Sequence, residues 1–272
     1  MFTEPFMQRA LLAAFFLGPL CTLLGVFVTA RRMAFFSDTI SHAALAGVAL
    51  GFWWGLVDPT LPMIGFSFLI AAAMMWLKEK TDLLTDTIMA LLLSGSVAFG
   101  IILLSLLKNR RGDLHRYLFG DILAVSSNDV WFSAVLFALV AIGIFLRLSA
   151  LTLLTAQEDM AHVCGVPVRR LNYLFIIVLT LTVALSIRLL GIILVTSLLV
   201  VPPAAARNFS RNLRQQIIFS FMIGLTGSVS GALFSYQFDI PCGPAIVMSC
   251  ISVFVISLLW QLQKKNLKFL KS

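Results

Sequence analysis

The sequence predicts an all-α integral membrane protein, a polytopic bundle of about nine transmembrane helices. Of its 272 residues, 60% are hydrophobic and only 12% are charged, whereas soluble domains carry about 25% charged residues. Such a chain cannot hide its apolar surface in water, so a membrane must cover it. The net charge of +8 does not indicate a nucleic-acid partner, because the basic residues form short clusters between apolar runs, as topology determinants do.

Nine apolar runs approach the length of about 20 residues that a spanning helix needs. We predict spans at about 9–29, 36–57, 60–77, 86–107, 129–151, 172–189, 191–206, 214–236 and 241–262. The third, sixth and seventh runs are short or crowded, so any total from eight to ten spans agrees with the pattern. No long hydrophilic segment interrupts the series, and residues 1–272 are therefore predicted to form a single transmembrane domain.

The distribution of basic residues predicts the orientation of these spans. With nine spans, 14 of the 20 Lys and Arg residues lie in or beside the loops that share a side with the C-terminal tail. Cytoplasmic loops carry the excess of Lys and Arg in membrane proteins. We therefore predict that the N-terminus is outside and the C-terminus is cytoplasmic, with the basic stretch 108–116 as an exception on the outer side.

Between the fourth and fifth spans lies the segment YLFGDILAVSSN at 117–128, which is too short to cross a bilayer. It predicts an interfacial or re-entrant helix. Its last three residues, Ser126, Ser127 and Asn128, are suited to cap the next span.

The longest predicted cytoplasmic loop, 152–171, contains a short helix at about 157–165. Glu158 and Asp159 suit the positive N-terminal end of its dipole, and Gly165 suits its C-terminal cap.

A proline pair, Pro202 and Pro203, lies inside the seventh span. A proline inside a helix removes a hydrogen bond and frees a carbonyl, which is tolerated in a membrane only against protein or a water-lined cavity. We therefore predict a helix break at this pair.

The second span carries an acid and an imidazole near its start. Asp38 and His42 are four residues apart, so their side chains are neighbours on one helix face. Ionisable groups inside a span mark an ion or substrate path by default, and a carboxylate with an imidazole suits a divalent first-row metal. The alternative for His42 is a hydrogen bond between packed helices. Two ligands from one chain are too few for a complete metal site, so further ligands would have to join them.

Several chemistries are excluded by motif. The chain has no GxxxxGK[ST] phosphate loop, no HExxH and no GxSxG, so it is not predicted to be an enzyme. The four cysteines lack CxxC spacing and are interpreted as packing residues. Of the other histidines, His115 is interpreted as a solvated loop residue and His162 as contact surface.

Four blocks of sequence together resemble one known family. They are RRMAFFSDTISHAALAGVALG at 31–51, YLFGDILAV at 117–125, GIILVTSLLVVPPAAARNF at 191–209 and FDIPCGPAIV at 238–247. Nearly the whole chain thereby resembles the permease subunits of bacterial zinc and manganese ABC importers, and most of all their zinc permeases.

The resemblance implies a bundle similar to the cobalamin and siderophore importer permeases, working as a homodimer in the bacterial inner membrane. It implies two copies of a separate ATPase, which hydrolyses the ATP, and a periplasmic zinc-binding protein. It places Asp38 and His42 on the metal path. No cofactor is bound permanently, and the cargo is Zn²⁺, with Mn²⁺ and Fe²⁺ left open by the chemistry of the two ligands. The short helix becomes the element that couples to the ATPase, through Glu158, Asp159, Ala161 and Gly165.

Two other classes compete with this interpretation. An ion-coupled secondary transporter of a divalent metal needs no ATPase and usually shows paired broken helices, whereas only one break, at Pro202 and Pro203, is obvious here. An intramembrane enzyme that uses Asp38 and His42 as acid and base lacks any nucleophile motif. The role of Cys242, near the start of the last span, is not assigned.

Overall fold

In the computed structural model, the described residues are 5–106, 120 and 125–269. They form eleven α-helices: α1 (Pro5–Ala30), α2 (Ala34–Trp53), α3 (Thr60–Lys80), α4 (Thr85–Leu106), α5 (Ser127–Leu146), α6 (Leu148–Ala156), α7 (Glu158–Val163), α8 (Val168–Leu190), α9 (Ile192–Phe209), α10 (Leu213–Phe238) and α11 (Cys242–Phe269). Within this part of the chain, all except the short α6 and α7 are long and apolar enough to span a membrane, which makes nine candidate spans. The predicted all-α bundle with about nine transmembrane helices is therefore confirmed.

Helix α2 ends earlier than predicted, at Trp53 instead of 57. Gly55 adopts a left-handed backbone with φ of +76°. Its N–H donates to the Phe52 carbonyl at 3.0 Å, and the Leu56 N–H donates to the Gly51 carbonyl at 3.1 Å. This pair of bonds is the Schellman motif, which closes a helix where glycine follows the C-cap.

The predicted fifth span, 129–151, is wrong at its end. Helix α5 stops at Leu146, and a separate helix, α6, starts at Leu148. Arg147 between them has φ of −111° and ψ of 14°, outside the helical region. Hydropathy misses this interruption because both helices are apolar.

The start of α5 follows the predicted cap. The Ser126 backbone N–H donates to the Asp129 carboxylate at 3.1 Å, and the Asp129 N–H donates back to the Ser126 hydroxyl at 3.3 Å. This reciprocal arrangement is a capping box, with aspartate in the place of the usual glutamate. Most of the interfacial helix predicted at 117–128 lies outside the described residues, as does His115.

The predicted break at Pro202 and Pro203 is also wrong, because α9 runs through both residues. Pro203 has no N–H to offer the Leu199 carbonyl one turn earlier. That carbonyl lies directly against Gly25 of α1, where an added Cβ would be 2.1 Å from the oxygen. The carbonyl that Pro203 leaves free thus lies against protein, which is where a proline inside a membrane helix is tolerated.

The chain divides into two compact units. The first comprises Met1–Thr29, Ile122–Ile142 and Ser197–Ser272, and the second comprises Ala30–Asp121 and Gly143–Thr196. The prediction of a single transmembrane domain stays a prediction.

The first unit is built around α10, which uses small residues to approach its neighbours closely. Gly224 packs against the Thr22 side chain of α1, and Gly231 packs against the Ile246 backbone of α11. The Ser228 hydroxyl donates to the Ala14 carbonyl of α1 at 3.1 Å. Small residues and short hydroxyl bonds of this kind replace the hydrophobic effect, which does not act between helices in lipid.

The second unit is organised around α2, which packs against α3, α4 and α8. One face of α2 carries the small residues Ala43, Gly47 and Gly51, and it is the packing face: Ala43 is fully buried, and Gly47 and Gly51 lie against the start of α3. The Thr39 hydroxyl also contacts the Met89 carbonyl of α4 at 3.2 Å. This face fixes how α2 is rotated within its unit, and it therefore decides where the opposite face points.

Candidate metal site

Asp38 and His42 lie on the face of α2 opposite its small-residue face, as the helical spacing predicts. Both side chains are only half-buried, and Ala34 and Leu45 on the same stripe are also incompletely covered. The flanking positions of α2, such as Ile40 and Ala43, are fully buried. An acid and an imidazole therefore share a stripe of α2 that is only partly covered.

A hydroxyl group from α9 contacts this pair. The Thr196 hydroxyl, which donates to the Ile193 carbonyl of its own helix at 3.2 Å, lies near the Asp38 carboxylate, as does the His42 imidazole. Polar groups around a ligating carboxylate help to orient it, which is a common feature of metal sites. The sequence analysis missed Thr196. Its only signal was a hydroxyl residue within an apolar run.

The two ligands do not make a complete zinc site on their own. Among the described residues, no three His, Cys, Asp or Glu side chains come together in a group that could hold a metal ion. Cys242 is buried in the first unit, in the neighbourhood of Ser235. Asp38 and His42 therefore offer one oxygen ligand and one nitrogen ligand, and zinc needs further ligands from water or from another chain.

The predicted ATPase-coupling segment forms the short helix α7, and its residues differ in their exposure to solvent. Ala161 is completely buried, whereas the neighbouring Met160 and Val163 are 54% and 85% exposed. Gly165 adopts φ of +75° after the helix, and space around it is open. Glu158 and Asp159 lie exposed in the first turn, as does His162 in the last. Cys164, directly after α7, is the exposed thiol among the four cysteines.

Helix α7 is connected to the start of α2 by a short polar chain. The Asn172 amide of α8 donates to the Glu158 carboxylate at 3.1 Å, and its oxygen accepts a hydrogen bond from Arg31 Nη1 at 3.1 Å. Arg31 lies in the turn between α1 and α2, seven residues before Asp38. A displacement of α7 therefore has a direct route to the helix that carries the candidate ligands.

The two ends of the second unit follow the predicted alternation of the spans. At one end, Arg169 forms an ion pair with Glu79 at 3.0 Å. At the other end, Arg188 approaches Asp58 at 3.9 Å, and a hydrogen bond from Thr60 lowers the pKa of the Asp58 carboxyl below its usual range. Each of these contacts joins two residues that were predicted to lie on the same side of the membrane. Which end of the unit faces the cytoplasm stays a prediction.

Comparison with known proteins decides the family, because the ABC 3 transport family matches residues 3–261. The chain belongs to the ABC 3 transport family. This membership confirms the resemblance to zinc and manganese importer permeases that the four sequence blocks predicted.

Curated relatives and a solved structure agree with this assignment. The chain is 34% identical over 256 residues to the high-affinity zinc uptake system membrane protein ZnuB of Haemophilus influenzae, covering 92% of this chain and 95% of that protein. It is 32% identical over 263 residues to the manganese import system permease protein ScaB of Streptococcus gordonii, covering 97% and 94%. The structure of PsaBC from Streptococcus pneumoniae in complex with Fab matches with a TM-score of 0.81 and 33% identity, covering 93% of this chain and 91% of that chain.

Proposed function

We propose that this chain is the permease subunit of an ATP-driven importer that moves Zn²⁺ into the cytoplasm, and that Asp38 and His42 line the route of the ion. The observation that carries the proposal is the accessible stripe of α2, where an acid and an imidazole share one face within a membrane-spanning helix. Ionisable groups are costly in such a segment, and they mark ion pathways there.

The metal is chosen from the relatives and from ligand chemistry. Relatives in this family are named for zinc uptake and for manganese import. Asp and His ligands serve zinc, manganese and iron. We assign zinc because the chain is 34% identical to ZnuB of Haemophilus influenzae, and the match extends over 92% of this chain and 95% of that protein. The ion is cargo, and no cofactor is bound permanently.

A second copy of the chain would complete the metal shell. The uncovered face of α2 is available to a two-fold partner, which would bring two carboxylates and two imidazoles to one ion. A site shared between two chains can be assembled and taken apart as the chains move, which suits an ion that must also leave. The working assembly is then a homodimer in the bacterial inner membrane, with its N-termini outside and its C-termini in the cytoplasm.

Two copies of an ATPase subunit would dock on the cytoplasmic side, and a periplasmic zinc-binding protein would deliver the ion. Helix α7 is the proposed docking element, because it presents the apolar side chains of Met160 and Val163 to solvent. Exposed apolar side chains on a short, well-anchored helix are typical of a contact surface. The chain from Glu158 through Asn172 to Arg31 carries the movement of α7 to α2.

Reconstitution in liposomes tests the function. With the ATPase and the binding protein present, we expect uptake of radioactive zinc that requires ATP hydrolysis and exceeds uptake of radioactive manganese at equal concentration. Preference for manganese would overturn the choice of metal but not the transport class. Uptake that follows an ion gradient without ATP would show a secondary transporter instead.

Docking through α7 gives a separate prediction. Changing Val163 to glutamate places a charge in the proposed interface, so ATPase binding is expected to weaken by roughly thirtyfold or more, the range of an interface hot spot. Val57→Glu is the matched control, because Val57 is 92% exposed at the opposite end of the second unit. Co-purification and a binding titration measure the effect. Equal binding by both variants would exclude α7 as the docking element. Ala161 is unsuitable for this test because it is buried.

A further inference from the structure

The guanidinium group of Arg31, in the turn between α1 and α2, uses only some of its hydrogen-bond donors. Its Nε donates to the Thr155 hydroxyl at 3.3 Å and its Nη1 donates to the Asn172 side-chain oxygen at 3.1 Å. Its Cζ lies 4.4 Å from the centroid of the Phe175 ring. The remaining nitrogen, Nη2, is buried and has no hydrogen-bond partner among the residues that the structure describes. A buried donor without a partner carries a desolvation cost that a bound acceptor would remove.

The guanidinium also lacks a counter-ion. Within the described residues, Arg31 forms no salt bridge, although Glu158 interacts with it at longer range. Burial lowers the pKa of Arg31 to about 10, with Glu158 acting in the opposite direction, so the group is still a cation at neutral pH. Buried charges in proteins are normally paired.

Arg31 lines a cavity of about 270 Å³ in the second unit. Two further basic residues, Arg32 and Lys78, line the same cavity, against a single carboxylate, that of Glu158. Glu158 is already engaged by the Asn172 amide. The cavity also contains the hydroxyl groups of Thr85 and Thr155. The excess of basic side chains makes it a site for an anion.

We propose that this cavity binds a phosphate group, with Arg31 as its principal ligand and Lys78 and Arg32 as additional cations. A guanidinium fork and neighbouring hydroxyl groups match the several acceptor oxygens of phosphate. The cavity lies at the ends of the membrane-spanning helices α2, α3 and α8, which is the depth of lipid headgroups. Basic pockets between transmembrane helices at this depth bind anionic lipid headgroups.

The phosphate has two chemical sources, an anionic lipid and a soluble phosphate compound, and binding measurements separate them. The full chain, purified in detergent and stripped of lipid, is titrated with phosphatidylglycerol, with the zwitterionic phosphatidylcholine, and with inorganic phosphate at constant ionic strength. Binding is followed by the thermal unfolding temperature and by native mass spectrometry. Saturable binding of phosphatidylglycerol alone identifies a lipid site, and saturable binding of inorganic phosphate identifies a soluble ligand.

Variants assign the binding to the cavity. Arg31→Gln is expected to weaken binding by at least about tenfold, the worth of one hydrogen bond to a charged group. Lys78→Gln is expected to weaken it less, and it keeps the test decisive if Arg31→Gln does not fold. Arg170→Gln is the control, because it removes the same charge from an exposed position outside the cavity.

Two results would overturn the proposal. One is equal binding by the Lys78→Gln variant, the Arg170→Gln control and the unchanged chain, which would reduce the effect to general surface charge. The other is that neither phosphatidylglycerol nor inorganic phosphate binds. If the Lys78→Gln variant then also loses ATPase binding, the cavity would instead receive an acidic side chain of the ATPase. The site does not depend on which metal is carried, so its failure leaves the transport proposal standing.

Discussion

Asp38→Asn and His42→Ala are each expected to abolish zinc uptake while the protein still accumulates in the membrane. Asparagine keeps the shape of aspartate but removes the charge, and alanine removes the nitrogen ligand. Loss of a residue that merely supports a metal ligand costs about 10- to 100-fold in metal affinity, so loss of a ligand should cost at least as much. Uptake of radioactive zinc, normalised to membrane protein, measures the effect.

Two further variants separate metal binding from helix packing. Thr196→Val removes the hydroxyl that lies beside the Asp38 carboxylate and should reduce uptake by an intermediate amount, because Thr196 is a neighbour of a ligand without being one. His42→Gln should stay inactive, since an amide is a poor substitute for imidazole toward zinc. Ser41→Ala is the control on the same turn of α2, because the Ser41 hydroxyl is buried without a partner. If His42→Gln transports normally, His42 packs helices and does not bind the ion.

Gly25→Ala is expected to destabilise the first unit strongly. The added methyl carbon would be 2.1 Å from the Leu199 carbonyl oxygen and 2.8 Å from its carbon. These are backbone atoms of α9, so they cannot move aside as a side chain would. Overpacking of a well-packed interior costs about 1–3 kcal/mol and sometimes more, and a clash with backbone belongs to the upper end. Membrane protein level and thermal unfolding temperature report the loss.

The control for this change is a glycine in another membrane helix. Gly143 of α5 has no atom within 4 Å of an added Cβ. Gly143→Ala should therefore leave the protein as stable or raise its stability by about 0.5–1 kcal/mol, because alanine restricts the unfolded chain more than glycine does. A Gly25→Ala variant as stable as Gly143→Ala would contradict the close contact between α1 and α9.

The sequence was sufficient to predict the number and order of the spans, because backbone hydrogen bonds in a membrane must be satisfied within each helix. It also predicted that Asp38 and His42 share a face, since that depends only on helical spacing. It could not predict features that depend on a distant neighbour. The contact of Gly25 with Leu199, which accompanies the unbroken α9, and the approach of Thr196 to Asp38 both involve residues far apart in the chain. The interruption at Arg147 could not be predicted either, because the residues on both sides of it are apolar and the hydropathy pattern does not change there.

The distribution of the thiols has a practical consequence for following assembly. Cys21, Cys242 and Cys250 are buried, and Cys164 is exposed immediately after α7. A maleimide fluorophore will therefore label the unaltered chain at one position, beside the proposed docking surface. Its emission would report ATPase docking in real time, and its reactivity in sealed vesicles of known sidedness would report which compartment this helix faces. The wild-type protein can therefore be labelled specifically at Cys164 without first removing the other cysteines.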